Sequence, residues 1–111
     1  MQFAKAITKY VRISPRKARL AAGLIRGLSA ESALEQLQFS RLKGGKLLKK
    51  TLESAIANAE VKLDAKPSAL KVHEVKIDGG PSLKRGKSRN RGGVAPILKR
   101  TSHFTIVLSC E

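Results

Sequence analysis

Between Gly79 and Arg100 lie twenty-two residues that cannot build a core: they carry seven cationic side chains, five glycines and no carboxylate. Two β-type runs flank them, Leu70 to Ile77 and Phe104 to Leu108. A stretch this polar buries too little apolar surface to offset its ordering entropy, so it is expected to become ordered by lying on a polyanion. The rest of the chain must therefore fold so as to hold out a long basic hairpin arm spanning residues 79–102. Only roughly 85 to 90 residues remain to supply a packed body.

The reach of such an arm follows from strand geometry. Twelve extended residues, Gly79 to Asn90, span roughly 40 Å at about 3.3 Å each. The radius of gyration of a compact body of this size is only about 12 Å. Cations at the tip would then touch something that the body cannot.

Charge is distributed to match. The chain has 111 residues and a formal net charge of +15, with 23 Lys and Arg against 8 Asp and Glu. From Met1 to Ala30 there are seven bases (Lys5, Lys9, Arg12, Arg16, Lys17, Arg19 and Arg26) and no acid. Seven of the eight acids fall between Glu31 and Asp78, beside nine bases. The two ends thus hold about +13 of the +15. Solubility does not require that segregation; convergence of both ends on one anionic surface does.

Local patterns give the body its elements. Phe3 to Ile13 reads as a first strand, rich in β-branched and aromatic residues. Ser14-Pro15 marks a helix start, with Leu20, Ala21, Leu24, Ile25 and Leu28 expected to face inward until Gly27 ends the helix. Ser29 caps a second helix with Glu31 in its first turn and Ala33, Leu34 and Leu37 inside. Ser40 to Gly45 reads as a breaker, followed by a third helix from Lys46 to Lys62 with Leu48, Leu52, Ala55, Ile56 and Ala59 on its inner face. Ala65 to Ser68 is a turn. Leu70 to Ile77 is a strand of poor alternation, whereas Phe104, Ile106, Leu108 and Cys110 alternate cleanly. The expected fold is α+β: a small antiparallel three-stranded sheet, three helices packed on one face, and the hairpin extension, all within one domain of residues 1–111.

Several chemistries are excluded or weak. The single Cys110 allows no intrachain disulfide, in keeping with a reducing compartment. His73 and His103 have no Cys, Asp or Glu cluster at metal-ligand spacing, so no metal is expected. Gly80 to Ser88 imitates a phosphate-binding loop, yet five residues separate its two glycines where the motif needs four, and Gly92-Gly93 leave no helix to follow. The glutamates read as solvated helix-face charges rather than an acid and base pair, and no cofactor or small-molecule substrate is implied. No apolar run approaches the roughly 20 residues of a membrane span. A cationic membrane-surface protein would need bulky apolar anchors beside its basic face, and these are missing. What remains is a nucleic-acid binder, either a part of a larger ribonucleoprotein or a free-standing architectural protein with its hairpin in a groove.

Five motifs narrow that choice. Ser14-Pro15-Arg16-Lys17-Ala18-Arg19-Leu20, Leu24-Ile25-Arg26-Gly27, Ser54-Ala55-Ile56-Ala57-Asn58-Ala59-Glu60, Gly80-Pro81-Ser82-Leu83-Lys84-Arg85 and Leu98-Lys99-Arg100-Thr101-Ser102-His103 occur in order along nearly the whole chain. Together they resemble the bacterial large-subunit ribosomal protein L-twenty-two family. The resemblance implies a non-catalytic constituent of the large ribosomal subunit, cytoplasmic, that binds ribosomal RNA, joins early in assembly and neighbours other large-subunit proteins. It also implies that the hairpin lines the polypeptide exit tunnel and meets the nascent chain. On that basis the expected RNA-binding residues are Lys9, Arg12, Arg16, Lys17, Arg19, Lys84, Arg85, Lys87, Arg89, Arg91, Lys99, Arg100, Ser102 and His103. The expected tunnel-facing tip is Ser88, Arg89, Asn90, Arg91, Gly92 and Gly93. That tip departs from the common family pattern at Ser88, Gly93 and Pro96, where a proline and arginines are usual.

Overall fold

The computed structural model describes residues 2–88 and 92–110. Strand β1 (Gln2–Val11) opens the chain, helices α1 (Pro15–Gly23), α2 (Ala30–Gln38) and α3 (Lys43–Leu63) follow, and a 3-10 turn at Pro67–Ala69 leads into β2 (Lys71–Gly79). Then come β3 (Leu83–Ser88), β4 (Val94–Lys99) and β5 (Ser102–Cys110). The central strand is β5, paired antiparallel with β1 on one side and β2 on the other, while β3 and β4 form a separate two-stranded ribbon. This is the expected α+β arrangement with three helices on one face of a three-stranded sheet. The long axis of the molecule measures 63 Å against 24 and 16 Å across, and its radius of gyration of 16.9 Å exceeds the roughly 13 Å of a compact chain of this length.

The sheet's inner face is set by alternation. Phe104, Ile106 and Leu108 of β5 are fully buried, opposite Ala4 and Ala6 of β1 and Val72, Val75 and Ile77 of β2. The irregular pattern of β2 has a physical cause: a bulge between Val72 and Glu74 inserts His73, so that Val72 and Val75, three apart, both point inward. A second irregularity lies between Thr8 and Val11, where Tyr10 takes φ +59°, its N–H donating to His103 Nδ1 at 3.1 Å. That bend ends β1 at Val11, short of the expected Ile13.

Two helices differ from their sequence reading for one reason, close packing. The first stops at Gly23, and its buried residues are Ala18, Ala21 and Ala22; Leu20 and Leu24, expected inside, are 63% and 43% exposed. Only small side chains fit because α3 lies almost against the α1 backbone. A Cβ on Gly44 would sit 3.3 Å from Ala18 Cα and 3.4 Å from Ala21 Cβ. Glycines 44 and 45, read as a breaker, are therefore inside the first turn of α3, which begins at Lys43 rather than Lys46. The second helix follows its expected course, with the Ser29 hydroxyl accepting from Ser32 N–H at 3.3 Å.

The outer edge of β2 is closed by the α1–α2 segment. Val72 N–H donates to Leu28 O at 2.8 Å and Ala30 N–H to Leu70 O at 3.0 Å. Farther along, Arg26 Nη2 donates to Val75 O and Arg19 Nη2 to Ile77 O, each at 3.1 Å. Exposed backbone groups of an edge strand are thereby occupied, which blocks edge-to-edge pairing.

Candidate nucleic-acid interface

The arm is fastened where β2 and β5 give way to the ribbon. Gly80 N–H donates to Thr101 O at 2.9 Å, and the Thr101 hydroxyl crosses to Pro81 O at 2.6 Å. A Cβ at position 80 would lie 2.5 Å from Thr101 Oγ1, so only glycine lets the two chains approach this closely. One residue on, the buried Ser102 hydroxyl donates to Ile13 O at 2.6 Å. His103 accepts from Tyr10 and stacks edge-on against its ring, with centroids 5.1 Å apart. These bonds tie the root of the arm to the segment joining β1 to α1.

That tie brings the two basic ends of the chain together. An open cleft of about 820 Å³ lies between the β1–α1 link, the start of α3 and the return strand of the arm. Its lining includes Arg12, Lys17, Lys43, Lys99 and Arg100, with no carboxylate among the lining residues. Leu20, Leu42 and Leu98 also line it, along with Ile13, Ser14 and Gly44. Like charges gathered in a concave surface focus a positive potential, which suits a polyanion and disfavours cationic partners. Among the described residues one ion pair forms, Lys49 Nζ to Glu53 Oε1 at 3.8 Å along α3.

The expected RNA-binding residues separate into groups. Arg12, Lys17, Lys99 and Arg100 meet at the cleft. Lys9 is exposed at the β1 bulge and Arg16 on the first turn of α1. Lys84 and Arg85 are exposed on β3, where Lys84 pairs with Leu98 and Arg85 with Ile97 across the ribbon, and Arg85 Nη1 donates to Lys84 O at 2.9 Å. Lys87 and Ser88 end β3, in register with Ala95 and Val94. Arg19 has part of its guanidinium committed to the β2 edge, and Ser102 is interior, with its hydroxyl already bonded. His103 is half-buried at the arm root. Of the tip, Gly92 (φ +76°) and Gly93 are exposed; Arg89, Asn90 and Arg91 lie outside the described residues.

Lys43 was missed by sequence reasoning. It sat within a segment read as a breaker, whereas it opens α3 and its ammonium donates to Arg12 O at 3.2 Å, on the rim of the same cleft. The signal available was a helix continuing back through Gly44 and Gly45, which glycine's low helix propensity obscures.

Comparison with known proteins agrees with this architecture. The family model for ribosomal protein L22p/L17e matches residues 6–109. A protein of Protochlamydia amoebophila (strain UWE25), "Large ribosomal subunit protein uL22", is 68% identical over 109 residues covering 98% of both chains. Proteins of the same name from Chlamydia pneumoniae and Chlamydia trachomatis serovar L2 are 58% and 57% identical over 104 residues, covering 94% of both chains. The match spans the helical body, both sides of the arm and the closing strand, and on it the chain belongs to the ribosomal protein L22p/L17e family.

Proposed function

We propose that this protein is a structural constituent of the large ribosomal subunit that binds large-subunit ribosomal RNA through one continuous basic surface: the cleft, the exposed side of α1 and the ribbon. The observation that carries the reading is the meeting of Arg12 and Lys17 with Lys99 and Arg100, residues more than eighty positions apart, in one carboxylate-free concavity. Arginine forks there can take phosphate oxygens bidentately, and lysines act as point charges beside them. Residues Ser102 and His103 serve as positioning groups that hold the arm root against the β1–α1 link, while Lys84, Arg85, Lys99 and Arg100 anchor the ribbon on RNA.

The ribbon has little else to bind to, since β3 and β4 pack chiefly on each other. Its length suits a role deep within an RNA mass, with Ser88 to Gly93 reaching the exit tunnel and the nascent chain, and with neighbouring large-subunit proteins near the body. Early entry into assembly fits an arm that becomes enclosed by RNA. No catalytic step is assigned to any residue.

The test is salt-dependent binding to large-subunit RNA fragments. Arg85→Ala with Arg100→Ala should weaken binding and flatten log K against log salt by about 0.7 to 0.9 for each phosphate that is no longer neutralised. An unchanged slope would mean that neither residue meets a phosphate. Equal affinity for generic duplex DNA would favour a free-standing architectural binder instead. In growing cells the protein should sediment with large subunits and be stripped only at high salt.

A further inference from the structure

The cleft holds more than charge. Leu20 comes from α1, Leu42 caps the start of α3 and Leu98 belongs to β4, and each is 40% to 63% exposed although all three line one concavity. Singly scattered surface leucines need no explanation; three gathered among five cations do. A partner offering only phosphates would leave the leucines facing polar atoms. An apolar partner would leave the cations uncompensated.

We infer that the cleft takes a single unstacked nucleotide of the RNA, its base against Leu20, Leu42 and Leu98 and its flanking phosphates on the surrounding cations. This rests on the RNA-binding reading above and specifies what part of an RNA the cleft accepts. A regular A-form duplex keeps its bases within the stack and presents phosphates and 2′-hydroxyls, with a major groove too narrow for side chains. A bulged or looped-out nucleotide instead offers a flat, largely apolar face between two phosphodiesters, which matches the pairing of leucines and cations here. The guanidinium planes of Arg12 and Arg100 can stack on such a base as well. At about 820 Å³ the cleft falls in the roughly 300 to 1,000 Å³ range of clefts that enclose small organic groups.

The experiment uses the full chain and three RNA duplexes of equal length: fully paired, carrying one unpaired adenosine, and carrying an abasic nucleotide at the same unpaired position. The unpaired adenosine should raise affinity roughly tenfold over the paired duplex at equal salt slope, and the abasic RNA should lose that gain. Leu20→Ser with Leu98→Ser should abolish the difference among the three RNAs, whereas the conservative Leu20→Met with Leu98→Met should keep it; both side chains are exposed, and the RNA series needs no protein variant. Equal binding of the three RNAs with a steep salt slope overturns the inference and leaves the RNA reading standing. Failure to bind any RNA with a measurable salt slope overturns both. Leucine variants that alter no RNA affinity but release a neighbouring ribosomal protein from the subunit would make the cleft a protein-docking surface and overturn the inference too.

Discussion

Gly80 and Ser102 illustrate how single residues set the position of everything basic. At Gly80 the obstacle to a side chain is Thr101 Oγ1, itself held by Pro81 O. Gly80→Ala should destabilise the protein by about 1 to 3 kcal/mol in chemical denaturation, and adding Thr101→Ala should recover part of that loss in a double-mutant cycle. Additive effects would mean that the crowding is not between these two groups. Ser102→Ala leaves the Ile13 carbonyl without its buried donor and should cost about 1 to 3 kcal/mol. Because its hydroxyl faces inward, the salt slope of RNA binding should be unchanged, in contrast to Arg100→Ala. The basic character of this neighbourhood was legible from residue types alone, but the exclusion of Ser102 from the surface was not. A serine two residues past an arginine looks like any polar loop residue until its partner, eighty-nine positions away, is known.

Among the elements, β2 and α1 depend on each other. The guanidinium groups of Arg19 and Arg26 occupy carbonyls on the strand edge that no other strand covers. Arg26→Ala should lower the unfolding midpoint by an amount worth at most about 1 kcal/mol and raise the tendency to self-associate, measured by light scattering on partial heating. Ser29→Ala removes the α2 cap and should cost about 1 kcal/mol by the same denaturation assay. These elements were readable in kind and misread at their ends. The Ser29 cap and the β5 alternation are local signals; the cap stood unaltered, and the alternation held from Phe104 to Leu108, beyond which Ser109 is buried and Cys110 half-buried. The β2 pattern looked poor because a bulge shifts its phase after Val72, and the α3 start was hidden because glycines chosen for close helix packing imitate a break. The outward turn of Leu20 and Leu24 has the same origin, since a helix pressed this near its neighbour can place only alanines between them.

For the molecule as a whole, the chief property is that a packed body and an extended ribbon share one chain. Segregated charge and the reach of the arm were both visible in the sequence; the concave meeting of the two basic ends was not, because it depends on the bonds at the arm root. Limited digestion of the free protein by a protease that cuts after Lys and Arg should begin within the ribbon and leave a resistant body, and binding to ribosomal RNA should suppress those cuts. Initial cutting in α3 would contradict that order. Since β3 and β4 pack chiefly on each other, most substitutions there should leave folding of the body untouched. Apart from Leu98 and Lys99 at the cleft, the ribbon should then change at little cost in stability, and its tolerance should be set mainly by its surroundings. In a saturation mutagenesis scan, purified protein would report the body's constraints and growth would report the ribbon's. The difference between the two maps would outline the footprint of the partner without any view of the partner itself.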